Sequence, residues 1–180
     1  MRWAVILFFV VVATLCLLPR RAAAISWEGV NKHIHHRFPA VMEITTGALA
    51  ARLADSTRPP PLLLDARTPE EYAVSHLRGA RLAPTPAAAQ AILAGRPKGV
   101  EVVVYCSVGY RSAEVAAALQ GAGYTAVRNL EGSIFQWANE GRTVYRGEGD
   151  GERPVGRVHP YNRRWGRLLH RDLWSWHGGE

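Results

Sequence analysis

The feature of this chain that most constrains its fold is an alternation of short apolar runs with segments of helical character. The apolar runs have strand-like composition and lie at residues 43–45, 62–64, 80–82, 102–105 and 126–129. The helical segments lie at residues 49–54, 69–74, 86–93 and 112–119. Strands that alternate with helices form parallel sheets, so the pattern predicts an α/β fold, a five-stranded parallel sheet with helices on both faces.

Two strands in this pattern are followed by residues with ionisable, potentially reactive side chains. Asp65 follows the run at 62–64, and Cys106 follows the run at 102–105. Thr68 and Pro69, just after the first of these strands, have the N-cap and first-position residue types that start a helix. Ligands of parallel sheets bind beyond the carboxyl ends of the strands. We therefore expect Asp65 and Cys106 at the same rim of the sheet.

The loop after the fourth strand has the sequence of a reactive-thiol site. It consists of Cys106, Ser107, Val108, Gly109, Tyr110, Arg111 and Ser112, and an alanine-rich helix follows it. Gly109 permits a tight turn, and the loop amides together with the helix N-terminus favour a thiolate over a thiol. The expected chemistry is nucleophilic attack by sulfur with a covalent intermediate. The alternative is an inert thiol buried in the core.

Four motifs in series make the chain resemble the single-domain rhodanese (sulfurtransferase) family. They are LLLDARTPEEY at 62–72, SHLRGA at 75–80, VYCSVGYRS at 104–112 and NLEGSIxxW at 129–137, and the likeness covers residues 43–144. The resemblance implies a rhodanese-like fold in which Cys106 accepts a sulfane sulfur as a persulfide. The donor would be a small sulfur-containing anion such as thiosulfate, and the acceptor a thiol or cyanide. It implies no cofactor and no metal.

The resemblance also implies roles for charged residues near the loop. Arg111 would help to hold the anionic donor, and the alternative is an ion pair with Glu114 or another acidic residue. Asp65, Arg67 and Glu71 match the strand-end motif of the family. We interpret these three as a supporting structural network rather than as residues that take part directly in catalysis.

Four further positions lie in the matched motifs. His76 matches a position that is commonly histidine in the family, and we interpret it as structural rather than as a general base. Ser107 and Tyr110 would shape the mouth of the pocket. Ser133 stands where many members have glycine, a change that should leave the loop intact.

The first 24 residues have the pattern of a secretory signal peptide. An apolar run covers residues 3–18, and Ala22 and Ala24 provide a small-residue cleavage motif. The chain is therefore predicted to be exported, periplasmic or secreted. Arg20 and Arg21 lie where signal peptides are normally uncharged, so a membrane anchor formed by residues 3–18 is the alternative. Removal of the leader would leave Cys106 as the only cysteine.

Residues 25–41 are predicted to be an N-terminal arm. Apolar residues recur in it at near-helical spacing, at Trp27, Val30, Ile34 and Phe38. His33, His35 and His36 could bind a transition metal. We favour a solvated polar face on a short helix, because no cysteine or acidic pair lies beside them.

Residues 42–147 are predicted to form the rhodanese-like domain and residues 148–180 a basic aromatic extension, joined by a flexible linker at 146–152. The extension contains Trp165, Trp174, Trp176 and six arginines. We favour a clasp whose aromatic residues pack back on the domain, and the alternative is contact with anionic membrane lipids.

The net charge of +7 comes from the two ends of the chain, because residues 25–152 hold 13 basic and 13 acidic residues. A globular part without a basic face disfavours nucleic-acid binding. We expect a monomer.

Two other functions are compatible with a cysteine loop on this fold. Phosphatases and arsenate reductases of related fold have a loop that is one residue longer, which admits a tetrahedral oxyanion. The six residues from Cys106 to Arg111 fit a single sulfur atom better, so phosphatase activity is not expected. The remaining alternative is a persulfide carrier without turnover, or a partner-docking module in the cell envelope.

Overall fold

The computed structural model describes residues 25–178. The strands are β1 (Glu43–Ile44), β2 (Leu62–Asp65), β3 (Arg81–Leu82), β4 (Val102–Tyr105), β5 (Val127–Leu130), β6 (Val144–Arg146) and β7 (Arg153–Val155). The helices are α1 (Trp27–Arg37), α2 (Thr46–Ala54), α3 (Pro69–Val74), α4 (Pro86–Leu93), α5 (Tyr110–Gly121) and α6 (Ser133–Asn139). Short 3₁₀ helices cover Gly149–Gly151, Trp165–Leu168 and Arg171–Leu173.

Strands β1 to β5 form one parallel sheet in the order β1-β5-β4-β2-β3. From β2 the chain continues to β3 at one edge of the sheet, and from β4 it continues to β5 on the other side. The order of strands therefore reverses between the neighbours β2 and β4. Asp65 at the end of β2 pairs in register with Tyr105 at the end of β4. The expected five-stranded parallel sheet is confirmed, and Asp65 and Cys106 lie at the same rim.

The alternation of side chains along β4 divides the core into two layers. Val103 and Tyr105 belong to a cluster that also contains apolar residues of α1, α2 and α6. Val102, Val104 and Cys106 belong to a second cluster on the opposite face, with residues of α4 and α5. All four β4 residues are fully buried, as expected of a central strand with helices on both faces. Cys106 is thus the continuation of a rigid, fully covered strand.

Most of the predicted elements occur with shifts of one to three residues at their ends. Strand β4 and helices α3 and α4 have the predicted bounds. Helix α6 was missed. It begins at Ser133, directly after Gly132; these two residues have φ angles of 51° and 66°, and no side chain caps its N-terminus. Five of its seven residues are buried, and only Gln136 and Asn139 form a narrow polar face.

Residues 146–152, predicted to be a flexible linker, form the connection between two paired strands. Strands β6 and β7 form an antiparallel hairpin, with Val144 opposite Val155. Gly147, with a φ of 97°, lies so close to the Gly151 carbonyl that a Cβ at position 147 would clash. The glycines in this segment therefore build a tight connection.

The two terminal extensions pack on the same face of the sheet. Helix α1 buries Val30 and Ile34, as its spacing predicted. From the C-terminal extension, Val158, Leu168 and Leu169 are buried in the same cluster. The side chain of Asn139 at the end of α6 donates to the Leu168 carbonyl at 2.7 Å and accepts from His170 N–H at 2.8 Å.

The clasp expected for the C-terminal extension is confirmed by this packing. Trp165 and Trp174 are partly buried against the core, whereas all six arginines of the extension are exposed. Trp176 stays 38% exposed, and contact with lipid remains a prediction. No helix within residues 25–178 is long and apolar enough to span a membrane. The predicted signal peptide or anchor at residues 1–24 lies outside the described residues.

Candidate active site

The loop from Cys106 to Ser112 turns sharply between β4 and α5 and brings the thiol to the start of that helix. Gly109 is the N-cap of α5 and has a φ of 110°. A Cβ at this position would lie 3.1 Å from Ile34 Cδ1, so both backbone conformation and space favour glycine. The Gly109 N–H donates to Cys106 Sγ at 3.1 Å.

A second helix fixes the other side of the loop. The N–H groups of Ile134 and Phe135, in the first turn of α6, donate to the carbonyls of Cys106 and Ser107, each at 3.2 Å. Ser133 Oγ accepts from Cys106 N–H at 3.1 Å and donates to the Leu130 carbonyl at 3.0 Å. Ser133 therefore anchors the loop. From the sequence we expected only that serine in place of the glycine common in the family would leave the loop intact.

The environment of Cys106 favours its ionised form. The side chain is 1% exposed, and this burial acts to raise the pKa of the thiol. The charge of Arg111 and hydrogen bonds from Ser112 and from the Gly109 N–H outweigh burial, so the pKa of Cys106 lies below its ordinary value. A thiolate is the reactive form of cysteine.

Arg111 is held by an acidic residue, which is Glu71 on α3 and not Glu114. Its Nη1 and Nη2 donate to Glu71 Oε2 and Oε1, both at 2.8 Å, and Nη2 also donates to Ser107 Oγ at 3.0 Å. The hydroxyl of Ser107 donates to Glu71 Oε1 at 2.8 Å. Glu71 also completes the capping box with Thr68. Helix α3 is thereby linked to the Cys106 loop.

Asp65 and Arg67 form a separate, sealed ion pair behind the loop. Both side chains are fully buried, and Arg67 Nη2 lies 2.6 Å from Asp65 Oδ2. The backbone N–H of Arg67 also donates to Asp65 Oδ1 at 3.0 Å. His76 is buried nearby, with Nδ1 3.2 Å from the Tyr145 carbonyl oxygen, and burial lowers its pKa. These contacts fit the structural interpretation of all three residues.

The match to a family model decides the relationship that the motifs suggested. Residues 45–140 match the model of the rhodanese-like domain, which is more than half of the chain. The chain belongs to the rhodanese-like family. Its rhodanese-like domain thus includes the strand ends, the Cys106 loop and helix α6, whereas helix α1 and the C-terminal extension lie outside the match.

Similar proteins agree with this assignment. A sulfurtransferase of Allochromatium vinosum is 38% identical over 112 residues, which cover 61% of this chain and 99% of that protein. A probable adenylyltransferase/sulfurtransferase MoeZ of Mycobacterium tuberculosis is 38% identical over 79 residues, which cover 43% of this chain but 20% of that protein. These similarities support sulfur transfer as the general chemistry of the site.

The fold is shared with solved structures of the family. The rhodanese-like domain of an Anabaena protein superposes with a TM-score of 0.52 at 21% identity, over 65% of this chain and 93% of that domain. At this level of identity the likeness concerns the fold alone.

The pocket of the rhodanese-like domain opens above Cys106 and has a volume of about 290 Å³. Its lining residues are His33, Cys106, Ser107, Val108, Tyr110, Arg111, Tyr161 and Trp165. The predicted loop residues thus line it, except Gly109 and Ser112, which hold the sulfur from behind. His33, Tyr161 and Trp165 were not predicted to belong to the site, because they lie far from Cys106 along the chain.

Two of the three histidines of the arm contact other side chains. His33 stacks on Tyr110, with ring centroids 5.5 Å apart. His35 Nε2 forms a hydrogen bond with Glu43 Oε2, which raises the pKa of His35. All three arm histidines are exposed, and no cluster of three metal-binding side chains occurs within residues 25–178.

Proposed function

We propose that this chain is a sulfurtransferase that moves a sulfane sulfur from a donor such as thiosulfate to a thiophilic acceptor through a persulfide on Cys106. The observation that carries the proposal is the 3.1 Å hydrogen bond from Gly109 N–H to Cys106 Sγ in a pocket that Arg111 also lines. Backbone donors and a nearby cation stabilise a thiolate, and a thiolate is the nucleophile that sulfur transfer requires.

The reaction takes place in two displacements. In the first, the Cys106 thiolate attacks the outer sulfur of thiosulfate. A new S–S bond forms on Cys106 while the S–S bond of thiosulfate breaks, and sulfite leaves with the electron pair. In the second, cyanide or an acceptor thiolate attacks the terminal sulfur of the persulfide. Thiocyanate or a new persulfide leaves, and the Cys106 thiolate is regenerated.

The residues around Cys106 have distinct roles in this proposal. Gly109 and Ser112 donate hydrogen bonds that stabilise the sulfur anion. Arg111 supplies positive charge toward the donor, while Ser107, Val108 and Tyr110 shape the pocket. A second group supports the loop without contact with the reacting atoms, and it consists of Asp65 and Arg67.

The setting of the reaction follows from the leader sequence. We expect the exported chain to work as a monomer outside the cytoplasm, in the periplasm or secreted, or on a membrane through residues 3–18. Because no second cysteine would remain after removal of the leader, the acceptor has to be another molecule. This acceptor would be a thiol or cyanide.

The test is a sulfur-transfer assay combined with mass spectrometry of the full chain. Incubation with thiosulfate should add about 32 Da to Cys106, and addition of cyanide should remove this mass and release thiocyanate. The Cys106→Ser variant should lose at least about a thousandfold in turnover, because it lacks the nucleophile. Its thermal unfolding should stay close to that of the wild type.

Three results would contradict or change the proposal. Full turnover by Cys106→Ser, or hydrolysis of a phosphate ester without sulfur transfer, would exclude Cys106 as a sulfur-carrying nucleophile. A stable adduct on Cys106 that neither cyanide nor small thiols remove would instead favour a carrier that serves a protein acceptor.

A further inference from the structure

The wall of the Cys106 pocket is not built by the rhodanese-like domain alone. Tyr161 and Trp165 come from the C-terminal extension and His33 from helix α1. All three lie outside residues 45–140, which match the family model. The chemistry of the pocket floor is therefore shared with the family, whereas a large part of the wall belongs to the extensions of this chain.

The extension holds Tyr161 in a defined position over the pocket. Tyr161 has a φ of 61°, a conformation that is uncommon for a bulky residue. Its N–H donates to His159 Nδ1 at 3.1 Å, which requires a neutral His159, and burial keeps the pKa of His159 below its ordinary value. The guanidinium carbon of Arg111 lies 4.8 Å from the centroid of the Tyr161 ring. The Tyr161 ring is thus stacked against the guanidinium group of Arg111.

Trp165 is fixed by equally local contacts. Its backbone N–H donates to Asn162 Oδ1 at 3.0 Å, at the start of the 3₁₀ helix Trp165–Leu168. The end of this 3₁₀ helix is anchored to α6, because Asn139 Nδ2 donates to the Leu168 carbonyl at 2.7 Å. These contacts hold the Trp165 side chain at the pocket before a ligand enters.

Helix α1 contributes His33 to the pocket beside Tyr110. His33 stacks on Tyr110 at 5.5 Å with an interplanar angle of 13°. Phe38 meets the same ring edge-on at 5.4 Å. Tyr110 therefore contacts two side chains of the arm and adds another aromatic surface to the pocket.

The charges of the pocket are nearly balanced before a donor binds. Arg111 is the arginine that lines the pocket, and Glu71 holds it through two hydrogen bonds of 2.8 Å. His33 is exposed at the edge. A small dianion would find one cation already paired with a carboxylate, together with aromatic surfaces that it cannot use. A monoanion that carries an apolar group would contact both Arg111 and the aromatic surfaces, because aromatic faces stack on planar apolar groups.

We propose that the aromatic wall formed by Tyr161 and Trp165 binds the organic substituent of the sulfur donor, so that the preferred donors carry a sulfane sulfur on an apolar or aromatic group. This inference rests on the proposed function, sulfur transfer through Cys106, and adds the substrate class. Inorganic thiosulfate would react, but it would leave the wall without contacts.

The chemistry of such a donor balances in the same way as that of thiosulfate. For a thiosulfonate, R–SO₂–S⁻, the Cys106 thiolate attacks the terminal sulfur and forms the S–S bond of the persulfide. The S–S bond of the donor breaks, and the sulfinate R–SO₂⁻ leaves with the electron pair. The R group and the sulfinate would lie against the aromatic wall during this step.

The test compares benzenethiosulfonate with methanethiosulfonate, two monoanions that transfer the same sulfur. The measured ratio is kcat/KM for benzenethiosulfonate divided by kcat/KM for methanethiosulfonate, with cyanide as the acceptor. We expect Tyr161→Ala and Trp165→Ala each to reduce the wild-type ratio about fivefold to tenfold, because each removes an aromatic face. Intrinsic reactivity of the two donors cancels when the ratio is compared between variants.

The controls separate an aromatic contact from a general disturbance of the extension. Tyr161→Phe and Trp165→Phe retain a ring and should keep the ratio within about twofold of wild type. Trp176→Ala removes an exposed tryptophan of the same extension that does not line the pocket, and it should leave the ratio unchanged.

A measurement on the unchanged protein keeps the inference testable if the alanine variants do not fold. Benzenesulfinate should inhibit the reaction at a concentration at least about tenfold lower than methanesulfinate, since it presents the ring to the wall. Equal inhibition by the two sulfinates, or an unchanged ratio in both folded alanine variants, would overturn the inference. Absence of sulfur transfer from every donor would instead refute the proposed function.

Discussion

Two arginine–carboxylate pairs lie behind the same rim of the sheet, and they differ in their access to solvent. In the pair of Arg67 with Asp65, both side chains are fully buried. In the pair of Arg111 with Glu71, the arginine side chain is 30% exposed and the glutamate side chain 2%. The hydrogen bonds are of similar length, so the difference lies in what surrounds each pair.

This difference separates a structural pair from one that can act on a ligand. Arg67 has its charge fully surrounded by protein and donates only to groups of the scaffold, Asp65 and the Ser75 carbonyl. Arg111 lines the pocket and lowers the pKa of Cys106 while Glu71 holds it. The same chemistry therefore fixes the loop at one site and tunes the nucleophile at the other.

The largest effect is expected when the sealed pair is broken. Asp65→Asn removes the charge that compensates Arg67, and an unpaired buried charge costs about 3–5 kcal/mol of unfolding free energy. Urea denaturation followed by circular dichroism measures this loss. The double variant Asp65→Asn/Arg67→Met should be less destabilised than the sum of the two single variants, because it leaves no uncompensated charge.

A surface pair provides the matched control for this prediction. Asp55 pairs with Arg58 at 3.1 Å, and the Arg58 side chain is 60% exposed. Asp55→Asn should be far milder than Asp65→Asn, because water solvates the remaining arginine. Equal losses in the two variants would mean that burial does not distinguish the pairs.

The two pairs also illustrate what the sequence could and could not predict. Asp65 and Arg67 are two residues apart after a strand, so a local network could be expected from the motif. The partner of Arg111 is 40 residues away on α3, and only the packing of that helix against the loop selects Glu71 over Glu114. Contacts within one turn are legible in a sequence, whereas contacts between elements depend on how these elements pack.

The same distinction applies to the elements themselves. Helices α3 and α4 begin with threonine and proline, and both were predicted with the observed bounds. Helix α6 begins after a left-handed Gly132 without a side-chain cap, and it was missed. Tyr161 reaches the pocket only because the C-terminal extension folds back on the domain. Its role is thus a consequence of tertiary packing.

A smaller effect on stability and a larger effect on the reactivity of Cys106 are expected at the open pair, which is Arg111 with Glu71. Arg111→Met should cost about 1–2 kcal/mol of unfolding free energy, because Glu71 keeps Ser107 and the Thr68 N–H as donors and water can reach the pocket. Loss of the Arg111 charge should raise the pKa of Cys106, which the pH dependence of its alkylation by iodoacetamide measures.

The conservative variant separates charge from geometry at this position. Arg111→Lys keeps the positive charge but cannot form the paired hydrogen bonds to Glu71. Its alkylation profile should stay nearer to wild type than that of Arg111→Met, with part of the stability lost. Identical alkylation profiles in both variants and the wild type would show that Arg111 does not influence the thiol.

The smallest effect is expected for Glu71→Gln, and it should depend on pH. Burial disfavours the Glu71 carboxylate, but Arg111 outweighs burial and lowers the pKa of Glu71 to about 2, from an ordinary value of 4.5. Ionised Glu71 therefore stabilises the fold fully above pH 4.5, and this stabilisation is lost as the pH falls toward 2. We expect Glu71→Gln to destabilise the fold at pH 7, and the loss should shrink with each step below pH 4.5. Urea denaturation at several pH values measures the difference, and a loss that stays constant down to pH 3 would mean that the open pair does not depend on the charge of Glu71.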